Sequence, residues 1–200
     1  MFLNDQDGSN ADETMNGDEG NDTLKGSGGD DTLNGGDDDD ILKGGGADVL
    51  DGGNGADTPN YSRSSAGVTV NIGSGPGAGG NAAGDPYISI ENLTGSNQSD
   101  SLRGTTGDYV INGLDGNELI EGDLNQDTLN GSDGNDTIYA MTAADMGGSV
   151  VGDTLNGGNG DDSLKGSGGS DTMNGGANDD FFIGGLGADV GVVIGCNRVS

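Results

Sequence analysis

Apolar residues recur at nearly every ninth position along much of the chain, each one placed between two polar neighbours. The first examples are Leu24, Leu33 and Leu42, in the triplets TLK, TLN and ILK. One apolar side chain between polar neighbours is typical of a half-buried β-strand. The six residues before each triplet are rich in Gly, Asp and Asn, which tolerate the positive φ angles of tight turns. Each nine-residue unit therefore predicts one turn followed by one very short strand.

The shortness of these strands decides how the units must be arranged. Three residues of strand bury too little apolar surface to form a core alone, so the units have to stack in register. A repeat period this short indicates a β-solenoid rather than a helical array. The fold class predicted from the pattern is all-β.

The sixth place of the unit, two residues before the apolar position, carries the candidate ligands for a metal ion. An acid holds this place in every complete unit except the one in which Tyr109 occupies it, and Glu118 replaces Asp in another. Calcium prefers about 6–8 oxygen ligands, and carboxylates and backbone carbonyls of Gly-rich turns are such ligands. The candidate ligands are Asp22, Asp31, Asp40, Asp48, Asp57, Asp100, Asp127, Asp136, Asp153, Asp162, Asp171, Asp180 and Asp189.

Composition makes a cation necessary for a compact state. The chain has 45 glycines among 200 residues, is only 29% hydrophobic, and carries a net charge of -29 with six Lys and Arg. Low hydrophobicity and high net charge are typical of disordered chains. Bound divalent cations would remove the repulsion between the turns, so we expect folding and metal binding to be one event.

The units resemble the glycine-rich calcium-binding nonapeptide G-G-x-G-x-D-x-U-x of the RTX, or haemolysin-type, proteins, as in GGNGDDSLK and GSGGDDTLN. The resemblance implies a right-handed parallel β-roll in which two repeats make one coil and calcium ions lie between the turns of successive coils. The implied ion-sharing pairs are Asp22 with Asp40, Asp31 with Asp48, Asp40 with Asp57, Asp153 with Asp171, and Asp162 with Asp180. The implied carbonyl ligands belong to Gly17, Gly26, Gly35, Gly44, Gly157, Gly166 and Gly175.

Interruptions of the period predict the boundaries of the repeat tracts. The first tract meets Pro59 in the strand place, where we expect the register to break because proline cannot donate to a ladder. Alternation around Val68 and Val70, and again around Ile88 and Ile90, predicts two longer strands within a widened part of the solenoid or a small separate domain. The predicted segments are a first tract with its cap at 1–60, the interruption at 61–94, a partly degenerate tract at 95–139, an inserted loop at 140–147, a third tract at 148–192 and a tail at 193–200.

Several classes of function are disfavoured by the sequence. The chain contains no histidine, which excludes the zinc protease motif and Ser-His or Cys-His nucleophile pairs. Its acidity argues against nucleic acid as a partner. No run of about 18 apolar residues is present to form a transmembrane segment.

The sequence therefore predicts a non-enzymatic calcium-binding repeat protein. The family resemblance implies an extracellular location, with secretion through a bacterial type I system that needs no N-terminal signal peptide. The chain would be either a stand-alone protein or the repeat region of a larger toxin, adhesin or hydrolase, with a cell-surface target that the sequence does not identify. The alternative is an accessory calcium-binding module of a secreted polysaccharide-modifying enzyme.

Overall fold

The computed structural model describes residues 4–141 and 151–192, together with the backbone of Arg198 and Val199. The chain divides into two units, Met1–Ser96 and Asn97–Ser200. Most of the insertion predicted at 140–147 and of the tail predicted at 193–200 lies outside the described residues.

The first unit consists of short strands joined by Gly-rich turns, with a single 3-10 turn at Gly80–Ala82 in its described part. Its strands are β1 (Gln6–Asp7), β2 (Thr14–Glu19), β3 (Thr23–Lys25), β4 (Thr32–Asp37), β5 (Ile41–Lys43), β6 (Val49–Asn54), β7 (Thr58–Pro59), β8 (Thr69–Asn71), β9 (Tyr87–Ile88) and β10 (Asn92–Thr94).

The second unit repeats this plan, and six-residue strands alternate with three-residue strands through most of it. Its strands are β11 (Ser101–Arg103), β12 (Val110–Asp115), β13 (Leu119–Glu121), β14 (Thr128–Asp133), β15 (Thr137–Tyr139), β16 (Thr154–Asn159), β17 (Ser163–Lys165), β18 (Thr172–Ala177), β19 (Phe181–Ile183), β20 (Val190–Val192) and β21 (Arg198–Val199).

Apart from β8 and β10, consecutive strands of each unit alternate between two parallel ladders. The short-strand ladder of the first unit contains β1, β3, β5 and β7, and the long-strand ladder contains β2, β4, β6 and β9. In the second unit the short-strand ladder runs from β11 through β13, β15, β17 and β19 to β21, and the long-strand ladder runs from β12 through β14, β16 and β18 to β20. Two repeats therefore make one coil, and the predicted parallel β-roll is confirmed.

The apolar residues of the eighth place form the thin core of each unit. Because they are paired in register one coil apart, as Leu24 is with Leu42, they stack directly upon one another. All are at most 5% exposed: Met15, Leu24, Leu33, Leu42, Leu50, Leu102, Ile111, Ile120, Leu129, Ile138, Leu155, Leu164, Met173 and Phe182.

The register does not break at Pro59 as predicted, because β7, which contains Pro59, still pairs with β5. Pro59 is buried in the eighth place and pairs with Leu42 in the short-strand ladder. The donors to β5 are its two neighbours, Thr58 to Asp40 O (2.8 Å) and Asn60 to Leu42 O (2.9 Å). Alternate residues of a parallel strand face opposite neighbours, so the N–H that proline lacks is not needed by β5.

The two longer strands predicted between residues 61 and 94 do not form. Val68 and Val70 are buried as expected, but the strand there, β8, has only three residues. Ile88 is 46% exposed while Ile90 is buried, although strict alternation would place both on one face. Ser89 between them has φ of 50°, which turns the chain and ends the strand.

Candidate metal centre

A ladder of hydrogen bonds connects the sixth-place acids of successive coils. The backbone N–H of each donates to one carboxylate oxygen of the acid in the next coil, as from Asp22 to Asp40 (2.7 Å) and from Asp40 to Asp57 (2.8 Å). The second unit has the same bond from Asp136 to Asp162 (2.8 Å). The stacking of the strands thus places one carboxylate against the turn of the preceding coil.

The pairs that the sequence analysis expected to share an ion are all neighbours in this ladder. Ion sharing itself stays a prediction. The bonded pairs are Asp22 with Asp40, Asp31 with Asp48, Asp40 with Asp57, Asp153 with Asp171, and Asp162 with Asp180.

The ladder persists where the repeat changes length. Asp31 bonds to Asp48 across a separation of 17 residues at 2.8 Å, and Asp127 bonds to Asp153 across 26 residues at 2.9 Å. Asp48 bonds to Asp85 across 37 residues at 2.8 Å. The contact is therefore set by the coil and not by the number of residues between the two acids.

Asp85 is a sixth-place acid that the sequence analysis missed. The segment GNAAGDPYI places Asp85 sixth and Tyr87 eighth, and Tyr87 pairs with Leu50 in the long-strand ladder. Only six residues later, Glu91 accepts the N–H of Asp57 (3.0 Å) and so also takes a ladder position. An acid two residues before an apolar residue was the available signal, but both acids lie outside the nine-residue period.

The fifth-place side chains form a second ladder that runs in the opposite direction. Asp12 accepts the N–H of Asp30 in the following coil (2.9 Å), and Asn135 likewise accepts that of Asp161 (2.9 Å). Each turn is thus held from both sides, by the fifth place of the coil before it and by the sixth place of the coil after it. Several exposed acids consequently have a structural role as acceptors.

The second carboxylate oxygen of many sixth-place acids is buried without a donor among the described residues. Burial of an unpaired carboxylate oxygen is strongly unfavourable, so these atoms are the observation that points to a bound cation. The atoms concerned are Oδ2 of Asp22, Asp31, Asp40, Asp57, Asp127, Asp136 and Asp162, and both Oε atoms of Glu118.

These oxygens lie against the first glycine of their own unit. A Cβ on Gly35 would collide with Asp40 Oδ2 and with the carbonyl oxygen of Gly52 in the next coil. A carboxylate oxygen and a carbonyl oxygen therefore converge beside one glycine, and only glycine leaves room for both. The glycines predicted to offer carbonyls all lie against Oδ2 of their own acid: Gly17, Gly26, Gly35, Gly44, Gly157, Gly166 and Gly175.

This donor set fits calcium. Nowhere among the described residues do three or more His, Cys, Asp or Glu side chains converge to hold a metal. An ion between the turns would therefore take many of its oxygens from backbone carbonyls, with one or two carboxylates. Calcium accepts such mixed and irregular oxygen shells, whereas soft metals prefer sulfur or nitrogen ligands.

The weakest part of the repeat departs from this pattern at two positions. The Tyr109 side chain is buried, and its hydroxyl group hydrogen-bonds to that of Thr105 (2.6 Å). Tyr109 therefore keeps its place in the acid ladder as a backbone N–H donor, but it offers no carboxylate to a metal ion. Glu118 is only 2% exposed and retains two unpaired oxygens, so its longer side chain still fits as a ligand.

The remaining predicted ligands occupy the expected ladder positions. Asp100 is buried at the turn that enters β11. Asp189 is half-buried and accepts the N–H of Asp171 (3.1 Å).

Burial and neighbouring acids raise the pKa of several sixth-place carboxyls when no cation is bound. Desolvation is the largest effect and raises the pKa of Asp57 to about 6, of Asp162 to about 7 and of Asp127 to about 8. Hydrogen bonds from the ladder N–H groups oppose this shift, and the charges of acids in adjacent coils add to it. Protons and a metal ion would therefore compete for the same oxygens.

Comparison with known proteins agrees with this geometry. The family model described as RTX calcium-binding nonapeptide repeat (4 copies) matches residues 7–42, 44–59, 94–129, 121–146 and 156–190, which together make up well over half of the chain. No curated protein matches the chain. Among the described residues there is no helix of the length and apolarity needed to cross a membrane.

Proposed function

The chain belongs to the RTX calcium-binding nonapeptide repeat family, and on that premise we propose that calcium binding between its turns completes its folding. The protein is a calcium-binding repeat protein with a parallel β-roll fold. The observation that carries the proposal is the row of buried carboxylate oxygens without donors in a chain of net charge -29. Each calcium ion would satisfy such oxygens and reduce the repulsion between stacked turns.

The ligands would come from the carboxylates of the sixth place and the carbonyls of the Gly-rich turns. We include all the predicted acids from Asp22 to Asp189 as candidates, together with Glu118. Calcium supplies only charge neutralisation and coordination here. The register of the coils comes from the chain itself, because the hydrogen-bond ladders determine which turns lie next to each other.

The protein acts without catalysis in this proposal. Acids of the fifth and sixth places are engaged by amide groups of adjacent coils, which supports a structural role for them. The family fold is typically non-catalytic, and the sequence contains no histidine to act as a general base or a zinc ligand.

We place this folding event outside the cell, after secretion by a type I system, whether the chain acts alone or as the repeat region of a larger toxin, adhesin or hydrolase. Oxygen-rich sites of extracellular modules typically bind calcium with dissociation constants of about 10⁻⁴–10⁻³ M. Sites of that strength would stay empty in a cytosol kept low in free calcium and fill outside. Folding would then follow export.

A calcium titration tests the proposal directly. Far-ultraviolet circular dichroism and size-exclusion chromatography should show an expanded chain in chelator and a compact β structure at millimolar calcium. Magnesium should be much less effective, because it requires a tight octahedral shell and loses water reluctantly.

The control must separate coordination from simple screening of charge. Sodium chloride at matched ionic strength screens the acids equally well but does not bridge the turns. A chain that is already compact in chelator, or that folds equally well in sodium chloride, would refute the proposal.

A further inference from the structure

The turns of each unit belong to two edges of the roll. On the first edge are the turns that enter strands of the short-strand ladder, with acids such as Asp40 before β5 and Asp162 before β17. On the second edge are the turns that enter strands of the long-strand ladder, with acids such as Asp48 before β6 and Asp171 before β18. The two edges have the same repeat but differ in what bonds the second carboxylate oxygen.

On the first edge, the second carboxylate oxygen of six acids is bare. None of the following acids has a donor to this oxygen among the described residues, and each is at most 2% exposed: Asp22, Asp40, Asp57, Glu118, Asp136 and Asp162.

On the second edge, backbone amides of the turn itself reach the second oxygen of two acids. Asp48 Oδ2 accepts the N–H groups of Gly45 (2.6 Å) and Gly46 (3.1 Å), and Asp171 Oδ2 accepts the N–H of Ser167 (2.6 Å). The turn before Asp48 is one residue shorter than the standard unit, but the turn before Asp171 has the standard length, so such a contact does not require a shortened turn.

Hydroxyl groups provide the donors to two further acids on the second edge. Ser167 Oγ donates to Asp153 Oδ2 (3.1 Å), and the hydroxyl group of Tyr61 donates to Asp85 Oδ2 (2.8 Å). Both acceptor residues are buried. At a third place on this edge Tyr109 replaces the acid and offers no carboxylate oxygen.

Two acids of the second edge keep a bare oxygen, Asp31 and Asp127. The reason is visible in the turn before Asp31, where Ser27 occupies the place equivalent to Ser167 but has φ of 77°. Its N–H does not reach Asp31, whereas that of Ser167 reaches Asp171. The conformation of the turn, more than its composition, therefore decides whether the oxygen is bonded.

We propose that calcium binds along the first edge, and that protein donors take its place at Asp48, Asp85, Asp153 and Asp171 on the second edge. This inference rests on the calcium-binding function proposed above. A donor hydrogen that points at a carboxylate oxygen occupies the lone pair that a cation would use and places positive charge in its path. The six first-edge acids named above have no such donors among the described residues, so their oxygens need a cation.

Matched substitutions in adjacent turns test the division. Asp40→Asn and Asp48→Asn each remove one negative charge, and Asp162→Asn and Asp171→Asn form a second pair in the other unit. The number of bound ions is measured by equilibrium dialysis at saturating calcium on the compact fraction isolated by size-exclusion chromatography. Asp40→Asn and Asp162→Asn should each lose at least one ion, while Asp48→Asn and Asp171→Asn should lose none.

A measurement on the unsubstituted protein covers the case in which a variant does not fold. Anomalous scattering from crystals grown in calcium locates the ions directly and should place them beside Asp22, Asp40 and Asp162 but not beside Asp48 or Asp171. Ions of equal occupancy beside both groups, or equal losses in the matched variants, would overturn the division into edges. Absence of any bound calcium would instead overturn the proposed function.

Discussion

The four consecutive aspartates at 37–40 should respond very differently to substitution. Asp40 is 1% exposed, accepts the N–H of Asp22 and directs a bare oxygen at the turn. Asp38 is exposed, and its φ of 78° lies in the left-handed region, where glycine is preferred. We therefore expect Asp40→Ala to impair calcium-induced folding and Asp38→Gly to leave it intact or improve it.

The size of the effect at Asp40 follows from its contacts. Asp40→Ala leaves the buried N–H of Asp22 without an acceptor, which costs about 1–3 kcal/mol. If about two ions bind as the tract folds, each tenfold decrease in the folding constant raises the calcium midpoint about threefold. A tenfold decrease corresponds to about 1.4 kcal/mol. The lost hydrogen bond alone thus predicts a midpoint about two- to tenfold higher, and the lost ligand adds to this shift.

Asp38→Gly is the matched control because it removes the same charge two residues away. It relieves a left-handed conformation that costs an L-residue up to about 1–2 kcal/mol, with a smaller cost for Asp, and glycine's greater freedom in the unfolded chain offsets part of the gain. The assay is a calcium titration followed by circular dichroism at constant ionic strength. Equal midpoints for the two variants would show that charge density, and not a placed carboxylate, controls folding, and would refute the reasoning.

Three further predictions follow from the same contacts. Leu42→Ala should lower the free energy of unfolding in calcium by about 2–5 kcal/mol through a core cavity, measured by urea denaturation, without reducing the number of bound ions. In chelator, lowering the pH from about 9 to 5 should increase β structure in circular dichroism. The pKa of Asp127 is raised to about 8 in the folded chain, so the fold is more stable at acid pH and loses this stability as the pH rises through 8. Loss of β structure on acidification would contradict this. Gly131→Ala should raise the calcium midpoint because a Cβ would collide with Asp136 Oδ2, whereas Gly191→Ala, where a Cβ meets no atom, should not.

The nine-residue period was enough to predict a β-solenoid of stacked units, and the family resemblance implied the β-roll, its thin core and the pairs of acids in successive coils. Leu42, for example, combines both requirements of the unit, an apolar side chain flanked by polar residues and an acid two places earlier. A pattern that repeats many times constrains the stack strongly, because every coil must present the same surface to its neighbours.

The interruption at 61–94 could not be predicted in the same way. Alternation at Ile88 and Ile90 indicated a strand, but the left-handed Ser89 places the two side chains in different environments. Asp85 and Glu91 were missed because they keep the spatial period while breaking the sequence period. Sequence patterns within the segment fail to predict its conformation here, because contact with the neighbouring coil selects that conformation.

The difference between the two edges was equally hidden. Asp40 and Asp171 occupy the same place in units of the same length, and the residue type alone does not distinguish them. Only the orientation of nearby amides distinguishes them, and this depends on the φ angles of the turn and on donors as distant in sequence as Tyr61 is from Asp85.

The tolerance of the acid ladder to spacing has a consequence for how such chains evolve. Separations of 17, 18, 26 and 37 residues all end in a ladder bond of normal length, as from Asp31 to Asp48 and from Asp127 to Asp153. A coil can therefore be duplicated, shortened by a residue or interrupted by new sequence while its neighbours keep their contacts. The entropic cost of closing a loop grows only slowly with its length, so a segment inserted between two coils costs the stack little stability. The stack is thus a scaffold on which inserted segments can diversify one at a time, and a natural acceptor for engineered insertions.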